Sequence, residues 1–248
     1  MEEFLKQFFD VGFMVDHFDE VLDGFWITVQ LSVISGTLAL VWGLILATLR
    51  QMPGKALMPV RFLTIAYIDV FRGVPLLLLI LIIAGGVPAL DFLPESVRLP
   101  EWFGKPDSFW FGVLAITITY GAYMAEVYRA GIESVPPGQM EAARSLGMNH
   151  GQAMRNVILP QAVRKVIAPL LNDFIALTKD TTLVSVIALN EVVLVGSDIQ
   201  SETFNSSALT LGALLFLVVT LPLARLVDKL IAREQSRFTR GAPRVEAL

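Results

Sequence analysis

The sequence predicts an all-α membrane protein of about five transmembrane helices, with its N-terminus outside and its C-terminus inside. Three observations lead there. The chain has 248 residues, 54% of them hydrophobic, and a mean hydropathy of +0.64, too apolar for an ordinary soluble domain. Four uncharged runs are long: 26 residues at 24–49, 18 at 73–90, 18 at 108–125 and 22 at 203–224. A bilayer core of ~30 Å needs about 20 helical residues. Finally, the Lys and Arg residues sort to alternate loops, as cytoplasmic loops demand.

The first helix is read at 24–49. The 24 residues from Met1 carry seven acids and one lysine, so the basic n-region of a secretory signal is missing and the apolar run is expected to stay as a helix. The second, 62–88, extends the run at 73–90 back through Asp69 and Arg72, and Gly85-Gly86 and Pro88 suit its end. The third is 108–132, and the fifth is 205–229.

The fourth helix, 167–195, is the weakest by hydropathy. It carries Asp173, Lys179, Asp180 and Glu191, and its longest uncharged run is ten residues. The basic residues argue for it. With five spans, segments 50–61, 133–166 and 225–248 share one side and hold 13 Lys and Arg, against 3 in 1–23, 89–107 and 196–204. Without it, the basic tail would move outside, against the rule. The loop 89–107, with Pro94, Trp102, Phe103 and Pro106, suits an interfacial segment.

The expected organisation is an external acidic segment at 1–23, one transmembrane unit at 24–232 containing the cytoplasmic loop 133–166, and a basic cytoplasmic tail at 233–248. No cysteine is present, which excludes disulfides and thiolate chemistry. His17 and His150 lie far apart and give no metal cluster. Neither Gly54-Lys55 nor Gly104-Lys105 has the other residues of a G-x-x-x-x-G-K-[ST] phosphate loop.

The polar loop has a helix–break–helix pattern. Pro136-Pro137 ends the incoming helix and starts another. Gln139, Met140, Glu141, Ala142, Ala143, Arg144 and Leu146 are good helix formers, and Gly147 follows where a C-cap favours a left-handed residue. Asn149 is read as the N-cap of a second helix, with Gln152 as its capping-box partner. That helix aligns Ala153, Met154, Val157 and Ile158 in an exposed apolar stripe, and Pro160 is expected to stop it. Such a pair is either a docking surface or an amphipathic pair lying on the membrane.

Charges inside the spans need partners or a wet cavity. Asp69 and Arg72 are spaced i,i+3, as are Glu126 and Arg129, so each pair can meet on one helix face. The latter is read as a structural ion pair. Asp69 and Arg72 suit equally a structural pair or the lining of a substrate path. Asn172, Asp173, Lys179, Asp180 and Thr181 are the further candidates for a path or gate, and Glu191 for a gate or a contact with an external protein. From residues alone, an ion-gradient-driven secondary transporter of small polar solutes, a membrane enzyme and a scaffold or receptor subunit stay open. No inverted repeat supports the first, and no nucleophile–base pair or metal cluster the second.

Glu141-Ala142-Ala143, three residues, Gly147, nine residues, then Val157-Ile158-Leu159-Pro160 resembles the signature of permease subunits of bacterial ABC importers, with Val157 where an isoleucine is usual. Phe71 to Leu77, Ala122 to Ile132, Val135 to Gln139 and Thr178 to Ile187 resemble the polar amino-acid branch of that family, of the histidine, glutamine and arginine type, over residues 20–232. The resemblance implies a type I importer fold and a dimer of permeases, homo- or heteromeric, in the bacterial plasma membrane. It implies a cytoplasmic ABC ATPase subunit that carries ATP and Mg, docked on Glu141, Ala142, Ala143, Gly147, Leu159 and Pro160. It also implies an extracytoplasmic binding protein that delivers a polar amino acid. No cofactor on this chain and no nucleic-acid partner are expected.

Overall fold

The computed structural model describes residues 1–52 and 54–241, with side chains to residue 232. All of the basic tail expected at 233–248 therefore lies outside the described side chains, and residues 242–248 lie outside the described residues altogether. Among the described residues all regular structure is helical. Three helices are long and apolar enough to cross a membrane, and two bent helix pairs each pass the same test, giving up to five spans.

The chain begins with two short helices, α1 (Glu2–Phe8) and α2 (Val11–Asp16), which lead into α3 (Phe18–Gln51). Asp10 caps α2 by accepting from the Phe13 amide at 3.1 Å. The first span thus starts earlier than the uncharged run at 24–49, because Asp19, Glu20 and Asp23 sit in the opening turns of a helix, where acids are favoured.

The segment expected as one helix over 62–88 is two, α4 (Met58–Gly73) and α5 (Leu76–Gly86). The axes of this broken pair differ by 106°. Pro75 is the cause. The residue before a proline is pushed out of the helical region, and Val74 is extended at φ −86 and ψ 128. Arg72 consequently lies in the last turn of α4, at an elbow, rather than midway along a spanning rod.

After a loop with the short helix α6 (Glu95–Arg98) comes α7 (Asp107–Glu133), the most buried of the three straight spans. It runs parallel to α3. Near one end a Cβ on Gly112 would meet Leu31, and further along both helices Gly43 faces Gly121. The approach there is close: a Cβ on Gly43 would stand 2.9 Å from the Gly121 carbonyl oxygen. Small residues permit such backbone contact, which drives helix association in lipid. Leu31, Ala39, Phe109, Ile116 and Met124 fill the seam around it and are fully buried.

The fourth span departs most from expectation. It begins in the polar loop, after α8 (Pro137–Ser145), with α9 (His150–Ala153). A π-helical turn at Met154–Ile158 follows, and α10 (Leu159–Asp180) continues from it. Pro160 does not stop this helix. It stands in the first turn of α10, where the wider π turn leaves an amide position without need of an i−4 acceptor. Beyond Asp180 the chain tightens into a 3-10 helix, Thr181–Ile187, passes Ala188 at φ 58, and re-enters a helix as α11 (Val192–Thr203), bent by 52°. The single helix expected over 167–195 is therefore interrupted. The final span belongs to α12 (Ser207–Gly241).

Glu191 explains where α11 starts. Its Oε1 accepts from the Val193 and Leu194 amides, both at 2.9 Å. Thr28 Oγ1 donates to its other oxygen at 3.4 Å and accepts from the Val192 amide at 3.3 Å. The carboxylate is fully buried. Its neighbours satisfy it, as a buried charge requires.

Candidate functional site

The polar loop is a small folded unit. Gly147 has φ 85, the left-handed conformation that ends α8. The Met148 amide donates to the Ala143 carbonyl at 3.2 Å and the Gly147 amide to Arg144 at 3.0 Å, a complete Schellman cap. Asn149 and Gln152 then exchange two hydrogen bonds of 2.9 Å as the capping box that starts α9.

The apolar stripe of the second helix is not exposed, contrary to expectation. Ile158 and Ala162 are buried with Val135, and Met140, Met154 and Val157 pack around them. The stripe is the core that joins α8 to α10, because two short helices must bury one face to hold an angle. What faces solvent is Glu141, Ala142, Gly147 and Leu146, the last 81% exposed. Ala143 is buried, whereas Leu159 and Pro160 are exposed at the start of α10. The loop is tied to the spans as well: Lys165 Nζ donates to the Ser134 carbonyl at 2.6 Å, and Gly131 leaves room for Val166.

The second candidate region is the elbow after α4. Asp69 and Arg72 do not pair, and both are exposed. The Arg72 guanidinium lies over the Tyr123 ring at 5.6 Å, and the Tyr123 hydroxyl donates to the Arg72 carbonyl at 3.3 Å. The guanidinium is also the charge that acts on Asp173 of α10. Asp173 Oδ2 is buried and accepts no hydrogen bond among the described residues. Two turns on, Asp180 accepts from the Tyr120 hydroxyl at 2.7 Å.

The structure thus brings Arg72, Asp173 and Asp180 together with Tyr120 and Tyr123. A guanidinium and a carboxylate that lie near one another without pairing, beside two phenols, can hold a small zwitterion. Asn172 and Lys179 are exposed on α10. Thr181 and Glu191 lie elsewhere, fully buried between α3 and α11, where Ser32 Oγ is 3.5 Å from Thr181 Oγ1. The tyrosines were absent from the sequence-based candidates, although their spacing of one helical turn within an apolar run was a usable signal.

A third cluster anchors α3 to α7. Glu126 pairs with Arg129 at 2.7 Å and with Arg50, which arrives from the far end of α3, and Arg129 also pairs with Glu133. The sequence spacing predicted only the Glu126–Arg129 pair. No group of three acidic, histidine or cysteine side chains arranged for a metal occurs among the described residues.

Comparisons with known proteins agree with this architecture. Residues 39–235 match the family described as "Binding-protein-dependent transport system inner membrane component". The chain is 36% identical over 237 residues to the probable glutamine ABC transporter permease protein GlnM of Bacillus subtilis (strain 168), covering 92% of this chain and 100% of that protein. It is 37% identical over 219 residues to the glutamate transport system permease protein GluC of Corynebacterium glutamicum, covering 86% and 93%. Among solved structures, an amino acid ABC transporter crystallised with histidines superposes with a TM-score of 0.77 at 34% identity, over 89% of this chain and 96% of that one. The MetNI methionine ABC transporter, at 16% identity and a TM-score of 0.70 over 88% and 97%, shares the fold. The capped loop, the elbow and the helix order thus occur in a chain that belongs to the inner-membrane permease family of binding-protein-dependent ABC transporters, in its amino-acid branch.

Proposed function

We propose that this chain is the permease subunit of an ATP-driven importer of polar amino acids. It works as a dimer, with itself or a sister permease, and docks a cytoplasmic ABC ATPase on the loop that carries α8. ATP and Mg belong to that partner. An extracytoplasmic binding protein delivers the amino acid to the opposite face.

One observation carries this reading: the exposed α8 surface is built on a rigid core continuous with α10. Glu141 and Ala142 offer a carboxylate and a small surface for close approach, and Leu146 an apolar contact. A displacement of α8 must pass through Val135, Ile158 and Ala162 into α10, because packed interiors transmit strain. The same helix carries Asn172, Asp173, Lys179 and Asp180. Motion of the loop therefore moves the polar row of the path against Arg72 and Asp69 at the elbow. Leu159 and Pro160, exposed where α10 leaves the loop, complete the docking surface. The excess of Lys and Arg on the loop side supports a cytoplasmic loop and an external N-terminus.

The test is to purify the tagged chain gently from its own membranes and assay the eluate for ATP hydrolysis. A co-purifying phosphate-loop ATPase that is lost with Glu141→Lys supports the docking role. A chain that elutes without any ATPase, at every detergent mildness tried, contradicts it.

A further inference from the structure

The opening turns of α3 and the middle of α12 enclose a cleft of about 500 Å³ lined by Leu22, Asp23, Phe25, Trp26, Val29 and Val219. Five of the six are apolar. Asp23 is the exception: it is exposed and makes no hydrogen bond or ion pair among the described residues. It borders the 26-residue uncharged run, at the level where a helix enters the bilayer. A carboxylate there needs a cationic partner or water. Trp26 stands one turn further on the same helix face, 60% exposed, and its indole N–H has no acceptor among the described residues. Tryptophan favours this interfacial depth, where its ring is apolar and its N–H is wet.

The pair presents one acceptor carrying negative charge and one donor, above a groove of apolar side chains. That is the complement of a zwitterionic phospholipid. Its ammonium meets Asp23, its phosphate oxygen accepts from the Trp26 indole, and an acyl chain follows Phe25, Val29 and Val219. We infer that Asp23 and Trp26 form a headgroup site for a phospholipid with an ammonium headgroup. The surrounding charge selects the same class. Segments 1–23, 89–107 and 196–204 hold 13 acids and 3 basic residues. They lie on one side, since α3 and α7 run parallel and the Ser206 amide donates to Gln7 at 2.8 Å. Such a surface repels anionic headgroups and leaves zwitterionic ones.

The test uses the full chain in detergent, titrated with phosphatidylethanolamine or phosphatidylglycerol of identical acyl chains and read by native mass spectrometry. The wild type is expected to retain phosphatidylethanolamine in preference to phosphatidylglycerol. Asp23→Asn and Trp26→Phe are each expected to weaken that preference, Asp23→Asn by about tenfold, the value of one charge-assisted hydrogen bond. Glu95→Gln, an exposed acid on α6 away from the cleft, keeps it. Equal retention of the two lipids, a preference that survives both cleft variants, a preference lost equally with Glu95→Gln, or a chain dimer that excludes lipid would overturn the site. The readout needs no ATPase and no transport, so it stands or falls apart from the importer reading.

Discussion

The Tyr120 hydroxyl donates to Asp180 at 2.7 Å, while Asp173, two turns earlier on α10, keeps a buried oxygen with no donor among the described residues. One carboxylate of the row is held by the protein, and the other is left for something else. The two should respond differently to substitution.

Tyr120→Phe removes a hydrogen bond to a charged acceptor between two spans. A loss of about 1.5–3 kcal/mol is expected, visible as a lower thermal midpoint of the purified chain. An unchanged midpoint would show that water replaces the hydroxyl at no cost.

Asp173→Asn gives up no protein hydrogen bond, so the fold should hold within about 0.5 kcal/mol. Transport should change all the same, while the ATPase stays bound. Normal uptake by a stable Asp173→Asn variant would remove this residue from the path.

Glu126 sits between Arg50 and Arg129 and joins α3 to α7. Removing one member of a half-buried network exposes the others to an unpaired charge. A double-mutant cycle of Arg50→Gln and Glu126→Gln should return a coupling energy of about 0.5–3 kcal/mol. Additive effects would mean that the contact contributes nothing net.

Gly147 and Gly131 are both glycines near the loop, for different reasons. Gly147 has φ 85 and open space around it, so Gly147→Ala should cost about 1–2 kcal/mol of backbone strain, and Gly147→Asn less. Gly131 has ordinary backbone, but a Cβ there would overlap Val166 Cγ1. Gly131→Ala should therefore push α10 away from α7 and disturb the loop's attachment. Amide hydrogen exchange in α8 and α10 would separate the two: local fraying in the first, wider loss of protection in the second.

Much of this architecture could be read from residue patterns. Long uncharged runs gave three straight spans, and Gly147, Asn149 and Gln152 gave the loop's caps, because both signals are local. The elbow was missed although Pro75 marks it, since a strongly apolar run masks a break. The interruption after Asp180 was missed too. The backbone at Ala188 and the cap at Glu191 depend on Thr28, a residue far away in sequence. The loop's apolar stripe was assigned to the surface because its cover, Val135 and Met140, comes from the preceding helix and turn. The one-turn spacing of Tyr120 and Tyr123 marked a shared face, but their partners, Asp180 and Arg72, come from other helices.

The most direct measurement of the central claim is uptake of radiolabelled amino acids into proteoliposomes. The chain is reconstituted with its co-purified partners, with ATP supplied on the side of the α8 loop and ion gradients collapsed. The account predicts ATP-dependent accumulation that falls to background with Glu141→Lys while the chain remains inserted. Uptake that ignores ATP and follows an imposed proton or sodium gradient would contradict it.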